Sequence, residues 1–174
     1  LARMTGRQLI RLQCYEGIDI HHAVYEWDYA RQMLFVRSLS GSDSAENDDD
    51  LFGPRFLIER PLLQAVRAGD SCVLLIDEID RADDEFEAFL LELLGDFQVT
   101  IPEIGSIEAP SRPIVILTSN RTRELHDALK RRCLYTWIGF PDPELEIDIV
   151  RSRLPHVSEA LTAQVVSAVN HLRE

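Results

Sequence analysis

No apolar run in this chain approaches the roughly 18 residues that a membrane-spanning helix needs, so no membrane partner is expected. The opening residues, Leu1-Ala2-Arg3-Met4-Thr5-Gly6, contain no charged-then-apolar leader, and a cytoplasmic location is expected. Cysteine is scarce. Cys14, Cys72 and Cys133 are far apart, without the paired-cysteine or Cys-His spacing of a metal site. An odd count without a secretory signal fits a reducing compartment, and each thiol lies in or beside an apolar run, where it acts as a small hydrophobe. Histidine clusters only at His21-His22, and neighbours on a helix point in different directions, so no ligand pair arises. Positive charge is also short: 18 Lys and Arg stand against 30 Asp and Glu, for a net charge of −12. Without a basic stripe, nucleic acid is not an expected partner. Part of the negative charge sits in residues 41–50, Gly-Ser-Asp-Ser-Ala-Glu-Asn-Asp-Asp-Asp, which read as a mobile surface loop. A binding loop for a basic partner is the alternative there.

The length of 174 residues fits one domain with room for the start of a second. Such a chain buries roughly two-thirds of its unfolded surface and needs no staples. Its 45% hydrophobic and 28% charged residues are ordinary for a globular protein.

The most informative stretch is Val73-Leu74-Leu75-Ile76-Asp77-Glu78. A short apolar run between polar residues reads as a strand buried on both faces. Ending in Asp-Glu, it places two acids at the carboxyl edge of a sheet, where open α/β folds bind ligands. One acid can hold Mg²⁺ and the other can polarise a water, although any strand can also finish in an acidic turn.

Around that strand the pattern alternates. Gln8 to Cys14 reads as a strand, and Asp19 as the cap of a helix from Ile20 to Arg37. A second helix is predicted from Phe56 to Ala68, closed by Gly69. Asp83-Asp84 opens a helix carrying Phe86, Phe89, Leu90, Leu93 and Leu94, ended by Gly95. Residues 97–101 and 104–107 predict a hairpin around Pro102-Glu103. Ile114 to Leu117 is another buried strand, leading to Ser119-Asn120. A short helix with Leu125, Ala128 and Leu129 ends in Lys130-Arg131-Arg132, and Leu134 to Phe140 is predicted as a last strand. Asp142-Pro143 then starts helices over residues 144–154 and 158–172, the second with Leu161, Val165, Val169 and Leu172 on one side. Alternating strands and helices imply a parallel sheet covered on both faces.

Three features stand in order: Asp77-Glu78 after one strand, Asn120 after another, and Arg131-Arg132 at a helix end. Phosphoryl transfer is catalysed by positioning and charge stabilisation, with a metal, an oriented water and a cationic finger. The same residues have simpler readings: Glu78 as a turn cap, Asn120 as a turn residue, and the arginines as partners of a helix dipole.

The order resembles that of AAA+ ATPases: Walker B, sensor 1, arginine finger, helical lid. Within them the chain resembles the MoxR family, on Leu75-Ile76-Asp77-Glu78-Ile79-Asp80-Arg81-Ala82, the inserted hairpin at Gln98-Val99-Thr100-Ile101, and Leu117-Thr118-Ser119-Asn120. Tyr15-Glu16-Gly17-Ile18-Asp19, Tyr25-Glu26-Trp27 and Gly53-Pro54 resemble the MoxR branch in particular, some of whose members serve carbon monoxide dehydrogenase maturation. The resemblance implies an α/β parallel-sheet core of the P-loop NTPase type over residues 1–140 and the beginning of a helical lid over 141–174. It implies ATP and Mg²⁺ as cofactors, with Asp77 on the metal, Glu78 as the base, Asn120 as the sensor, and Arg132 or Arg131 as the finger toward a neighbouring subunit. It implies a hexameric ring that remodels a client, such as a metalloenzyme, with a von Willebrand factor A domain partner.

The sequence departs from that family in one respect. Such an enzyme needs a glycine-rich loop followed by Lys and Ser or Thr to cradle phosphates, and no G-x-x-x-x-G-K occurs here. Leu1 to Gly6 resembles the tail of the helix that follows such a loop. The chain is therefore expected to be a fragment without the first strand and phosphate loop, inactive alone. In the family that strand lies between the one ending near Asn120 and the one near Tyr135 to Ile138. A non-hydrolysing scaffold and a DNA-acting motor are the alternative readings.

Overall fold

The computed structural model describes residues 1–39 and 51–173, so the acidic stretch 41–50 lies outside the described residues. Two compact units are present, Leu1–Leu134 and Tyr135–Glu174.

The first unit is built on three parallel strands: β1 (Gln8–Gln13), β4 (Cys72–Asp77) and β7 (Ile114–Leu117), with β4 in the centre. Pairings run Gln8↔Cys72 to Gln13↔Asp77 and Val73↔Ile114 to Ile76↔Leu117. Because side chains alternate across a strand, this register sorts them into two faces. Ile10, Leu12, Leu74 and Ile76 form the core face, each at most 6% exposed. They share one hydrophobic cluster with Leu62, Leu63 and Val66 of α4 (Pro61–Ala68) and Phe86, Leu90 and Leu93 of α5 (Asp84–Asp96). Burying each such side chain contributes about 1.5–3 kcal/mol.

The opposite face carries Leu9, Arg11, Gln13, Val73, Leu75 and Asp77. The expected α/β parallel sheet with flanking helices is present, and this second face is covered less completely than the core face. Leu9 is 55% exposed, and Leu75, Ile114 and Ile116 are only partly buried. The helix preceding β1, α1 (Ala2–Thr5), is a single turn and too short to cover them.

Two predicted helices are shorter than expected, and a small sheet replaces the difference. Asp19 does cap a helix, accepting from His22 N at 2.7 Å, but α2 (Ile20–Val24) stops after five residues. Tyr25–Trp27 forms β2, antiparallel to β3 (Leu57–Glu59), with Tyr25 and Trp27 buried on one side. Bulky aromatics at alternate positions favour the strand. Asp28 then starts α3 (Tyr29–Leu39), accepting from Arg31 N at 2.9 Å. The helix expected from Phe56 begins only at Pro61, because the residue before proline avoids the helical region. Arg60 is accordingly extended, at φ −93° and ψ 170°.

Asp83 caps α5 through Phe86 N at 2.8 Å, but the helix runs past Gly95 to Asp96 and ends on Phe97 in the left-handed region, at φ 50°. The predicted hairpin forms as β5 (Gln98–Ile101) and β6 (Gly105–Glu108). A short helix, α6 (Asp127–Arg131), closes the first unit.

Residues 134–140 form no strand, which corrects the sequence expectation. A strand exists only through a ladder, and among the described residues no strand lies beside the outer edge of β7 for them to join. Leu134, Ile138 and Phe140 are exposed.

In the second unit, α7 (Pro143–Arg153) is capped by Asp142, which accepts from Leu145 N at 2.8 Å, and packs on α8 (Glu159–Arg173). The apolar stripe of α8 is exposed: Leu161, Val165 and Leu172 are 51%, 49% and 85% exposed. Thr162 and Val166 are buried instead. A polar clasp fixes that rotation, since Glu146 of α7 accepts from Asn170 at 2.8 Å and from Arg173.

Candidate functional site

The two acids stand at the carboxyl end of β4, the central strand. Asp77 is its last residue, and Glu78 follows in the left-handed region at φ 55° and ψ 49°. A non-glycine residue held there costs of order 1–3 kcal/mol and persists only where its surroundings impose it. The imposition comes from Thr118, just beyond β7. Thr118 N donates to Ile76 O at 3.0 Å, and Ile79 N donates to Thr118 O at 2.9 Å. The Thr118 hydroxyl accepts from Glu78 N at 3.0 Å and donates to Asp77 Oδ1. Arg11 of β1 meets the other oxygen: its Nε donates to Asp77 Oδ2 at 3.1 Å, and its Nη2 reaches the same atom. The Thr118 hydrogen bond first, and Arg11 second, hold the Asp77 carboxyl below the usual carboxylate range. Asp77 is therefore an anion at neutral pH.

Asp80 ties the second loop down. It is 3% exposed and accepts from Asn120 N at 3.2 Å, Thr122 N at 2.8 Å and Thr122 Oγ1 at 2.6 Å. Burial alone would raise its pKa; the hydrogen bonds from Thr122 and Asn120 outweigh it and the net shift is downward. Asn120 thus follows the end of β7 with its backbone N–H bonded to Asp80, two residues beyond Glu78, and the residue is exposed. Glu78 is one-third exposed, with Arg81 3.5 Å away across one turn.

Arg131 and Arg132 are not joined to the acid pair. Arg132 donates to Leu91 O in the second half of α5, while Arg131 is exposed with no side-chain partner among the described residues. Arg123 instead anchors the segment before α6, pairing with the fully buried Glu87 and with Asp84 at 3.1 Å. Glu87 Oε2 also accepts from His126 N at 2.9 Å, while Oε1 meets Arg123 as an ion pair without a hydrogen bond.

Neither buried thiol belongs to the site chemistry. Cys14 adjoins it, its N–H donating to Asp77 O at 2.9 Å, but burial and the charges of Asp77, Asp80 and Glu78 push its pKa up to about 12. His22 bonds Asp19 at 2.8 Å. Among the described residues no group of three His, Cys, Asp or Glu gathers to hold a metal. One carboxylate beside a hydroxyl does fit Mg²⁺, which keeps its waters and is commonly bound by one or two carboxylates plus substrate phosphates. A separate cleft of about 540 Å³ lies between α2, α5 and β5, lined by Ile20, Val24, Phe89, Leu93 and Val99, and does not include the acids.

Sequence reasoning overlooked Arg11, Thr118 and Asp80 as site residues. Arg11 was visible as a cation interrupting an apolar strand, and the other two lie inside the quoted motifs.

The family model of the AAA domain, dynein-related subfamily, matches residues 1–133. No curated protein matches the chain. Among solved structures, a putative ATPase from Cytophaga hutchinsonii superposes with a TM-score of 0.52 at 16% identity, covering 94% of this chain. This chain spans 46% of that protein's length, and at such identity the likeness is one of fold. No helix among the described residues is long and apolar enough to cross a membrane. With an α/β parallel sheet, acids on its central strand and a family match over most of its length, the chain belongs to the dynein-related subfamily of AAA domains.

Proposed function

We propose that this chain is the hydrolytic part of a MoxR-like AAA+ ATPase that works as a ring, likened to a hexamer, and remodels or matures a client such as a metalloenzyme. The observation that carries the reading is the Thr118 hydroxyl, which joins the Asp77-Glu78 turn to the segment bearing Asn120. When bound, Mg²⁺ supplies charge neutralisation between the phosphate oxygens and Asp77. Glu78 accepts a proton from water as its oxygen attacks the γ-phosphorus. The bond to the β–γ bridging oxygen breaks, and ADP leaves with those electrons. Asn120 orients the water or the γ-phosphate through its amide. Arg132 or Arg131, on the α6 end and unattached to its own acid pair, faces a neighbouring subunit's phosphate. Residues 141–174 begin the lid. A von Willebrand factor A domain protein is the proposed partner, and the cytoplasm the proposed location. Without a phosphate-cradling loop, these 174 residues are proposed to be inactive by themselves.

In the full-length protein Glu78→Gln retains nucleotide binding and loses hydrolysis by roughly 10² to 10⁴, the span of a general base. Turnover at the wild-type rate in that variant removes Glu78 from the mechanism.

A further inference from the structure

Arg11 is a charge that the hydrolysis scheme does not use. It projects from the middle of β1 onto the less covered face of the sheet, level with Leu75, and its side chain is 55% exposed. Strand packing asks for no cation there. Yet its Nε and Nη2 both donate to Asp77 Oδ2, and Nη2 also donates to Gln13 Oε1 at 2.5 Å. An ionised carboxylate offers about four acceptor positions. Arg11 takes two on Oδ2 and Thr118 one on Oδ1, so the oxygen facing Arg11 is fully used.

We propose that Arg11 is a positioning residue that serves as the resident counter-ion of Asp77 and opposes a bare divalent cation while admitting one chelated by phosphates. The inference rests on Asp77 being the metal carboxylate. A guanidinium does not deprotonate in proteins, so Oδ2 becomes free only when Arg11 is displaced. A half-exposed side chain on a flexible stem has room to move. The sign of the charge decides which visitor moves it. A hydrated Mg²⁺ arrives as a dication and is repelled by Arg11. The same ion on a nucleoside triphosphate arrives with net negative charge, attracts Arg11 to the phosphates and releases Asp77. Arg11 thereby keeps the carboxylate in place and reserved for metal that comes with nucleotide.

Mn²⁺ binding to the full-length protein, followed by electron paramagnetic resonance without nucleotide, tests this. Arg11→Gln is expected to tighten bare Mn²⁺ roughly tenfold, the scale of a few-ångström repulsion screened by water. It is expected to weaken the Mn²⁺ complex of a non-hydrolysable ATP analogue. Arg11→Lys, which keeps the charge and loses the fork, should behave toward bare Mn²⁺ like the unaltered chain. Unchanged or weaker Mn²⁺ binding in Arg11→Gln overturns the counter-ion role. Asp77→Asn separates the two ideas: if it binds Mn²⁺ as tightly as the parent, the metal reading of Asp77 itself fails.

Discussion

The two faces of the same three strands behave as different materials. On one, Ile10, Leu12, Leu74 and Ile76 are sealed against α4 and α5, with no polar group to satisfy. On the other, one residue out of step, stand Leu9, Arg11, Gln13, Leu75 and Asp77, all part or fully exposed. Only Val73 is closed off there, at 1% exposure. The difference comes from side-chain alternation alone, and it separates the residues that hold the fold from those positioned for chemistry. A one-residue slip of β4 against its neighbours would exchange the two roles. The chemical face is held instead by hydrogen bonds between strand ends, where Thr118 and Asp80 clamp both loops.

Substitutions that attack one face at a time sharpen the contrast. Leu74→Ala on the core face should cost about 2–5 kcal/mol, read from denaturant unfolding of the full chain. Next is Asp80→Ala, which leaves three donors without an acceptor and should cost about 1–3 kcal/mol. Its signature is faster amide hydrogen exchange at Asn120 and Thr122; unchanged protection of those two amides denies Asp80 the clamp role. Acid gives a smaller, graded loss. Asp77 and Asp80 both have folded pKa values below the ordinary carboxylate value near 3.9. Their contribution is therefore fully present above that value and disappears as pH falls from about 4 through the folded values. Asp80→Asn should flatten that acid-side slope in a pH series of unfolding midpoints. The smallest effect belongs to Leu9→Ala, 55% exposed on the chemical face, which should stay within about 0.5 kcal/mol. A loss for Leu9→Ala as large as that for Leu74→Ala would erase the distinction between the faces.

What the sequence made legible follows the strength of its local signals. The strand ending in Asp77-Glu78, the Asp83 and Asp142 caps and the hairpin at residues 98–108 all carry cues within a few residues. Tyr25-Glu26-Trp27 did not, because its partner Leu57–Glu59 is distant and a helical period runs through both segments. Pro61 carried the cue that Phe56 could not start that helix, and Asp28 carried a second cap signal. Residues 134–140 are legible as an apolar run, but pairing is a property of neighbours, and among the described residues no strand pairs with them. On α8 the apolar count favoured Leu161 and Val165, while a pair of long-range bonds to Glu146 turned Thr162 and Val166 inward. In the site, Asp77, Glu78 and Asn120 are legible from motif order. Arg11 and Thr118 needed the register of three strands before their meeting at Asp77 could be seen.

A crystal structure of the full-length protein with Mg²⁺ and a non-hydrolysable ATP analogue tests the central assignment most directly. The account predicts the metal held through water by Asp77, the γ-phosphate beside Glu78 and the Asn120 amide, and Arg11 withdrawn from Oδ2. Nucleotide seated elsewhere, for instance in the cleft between Ile20 and Phe89, with Asp77 still bound to Arg11, would contradict it.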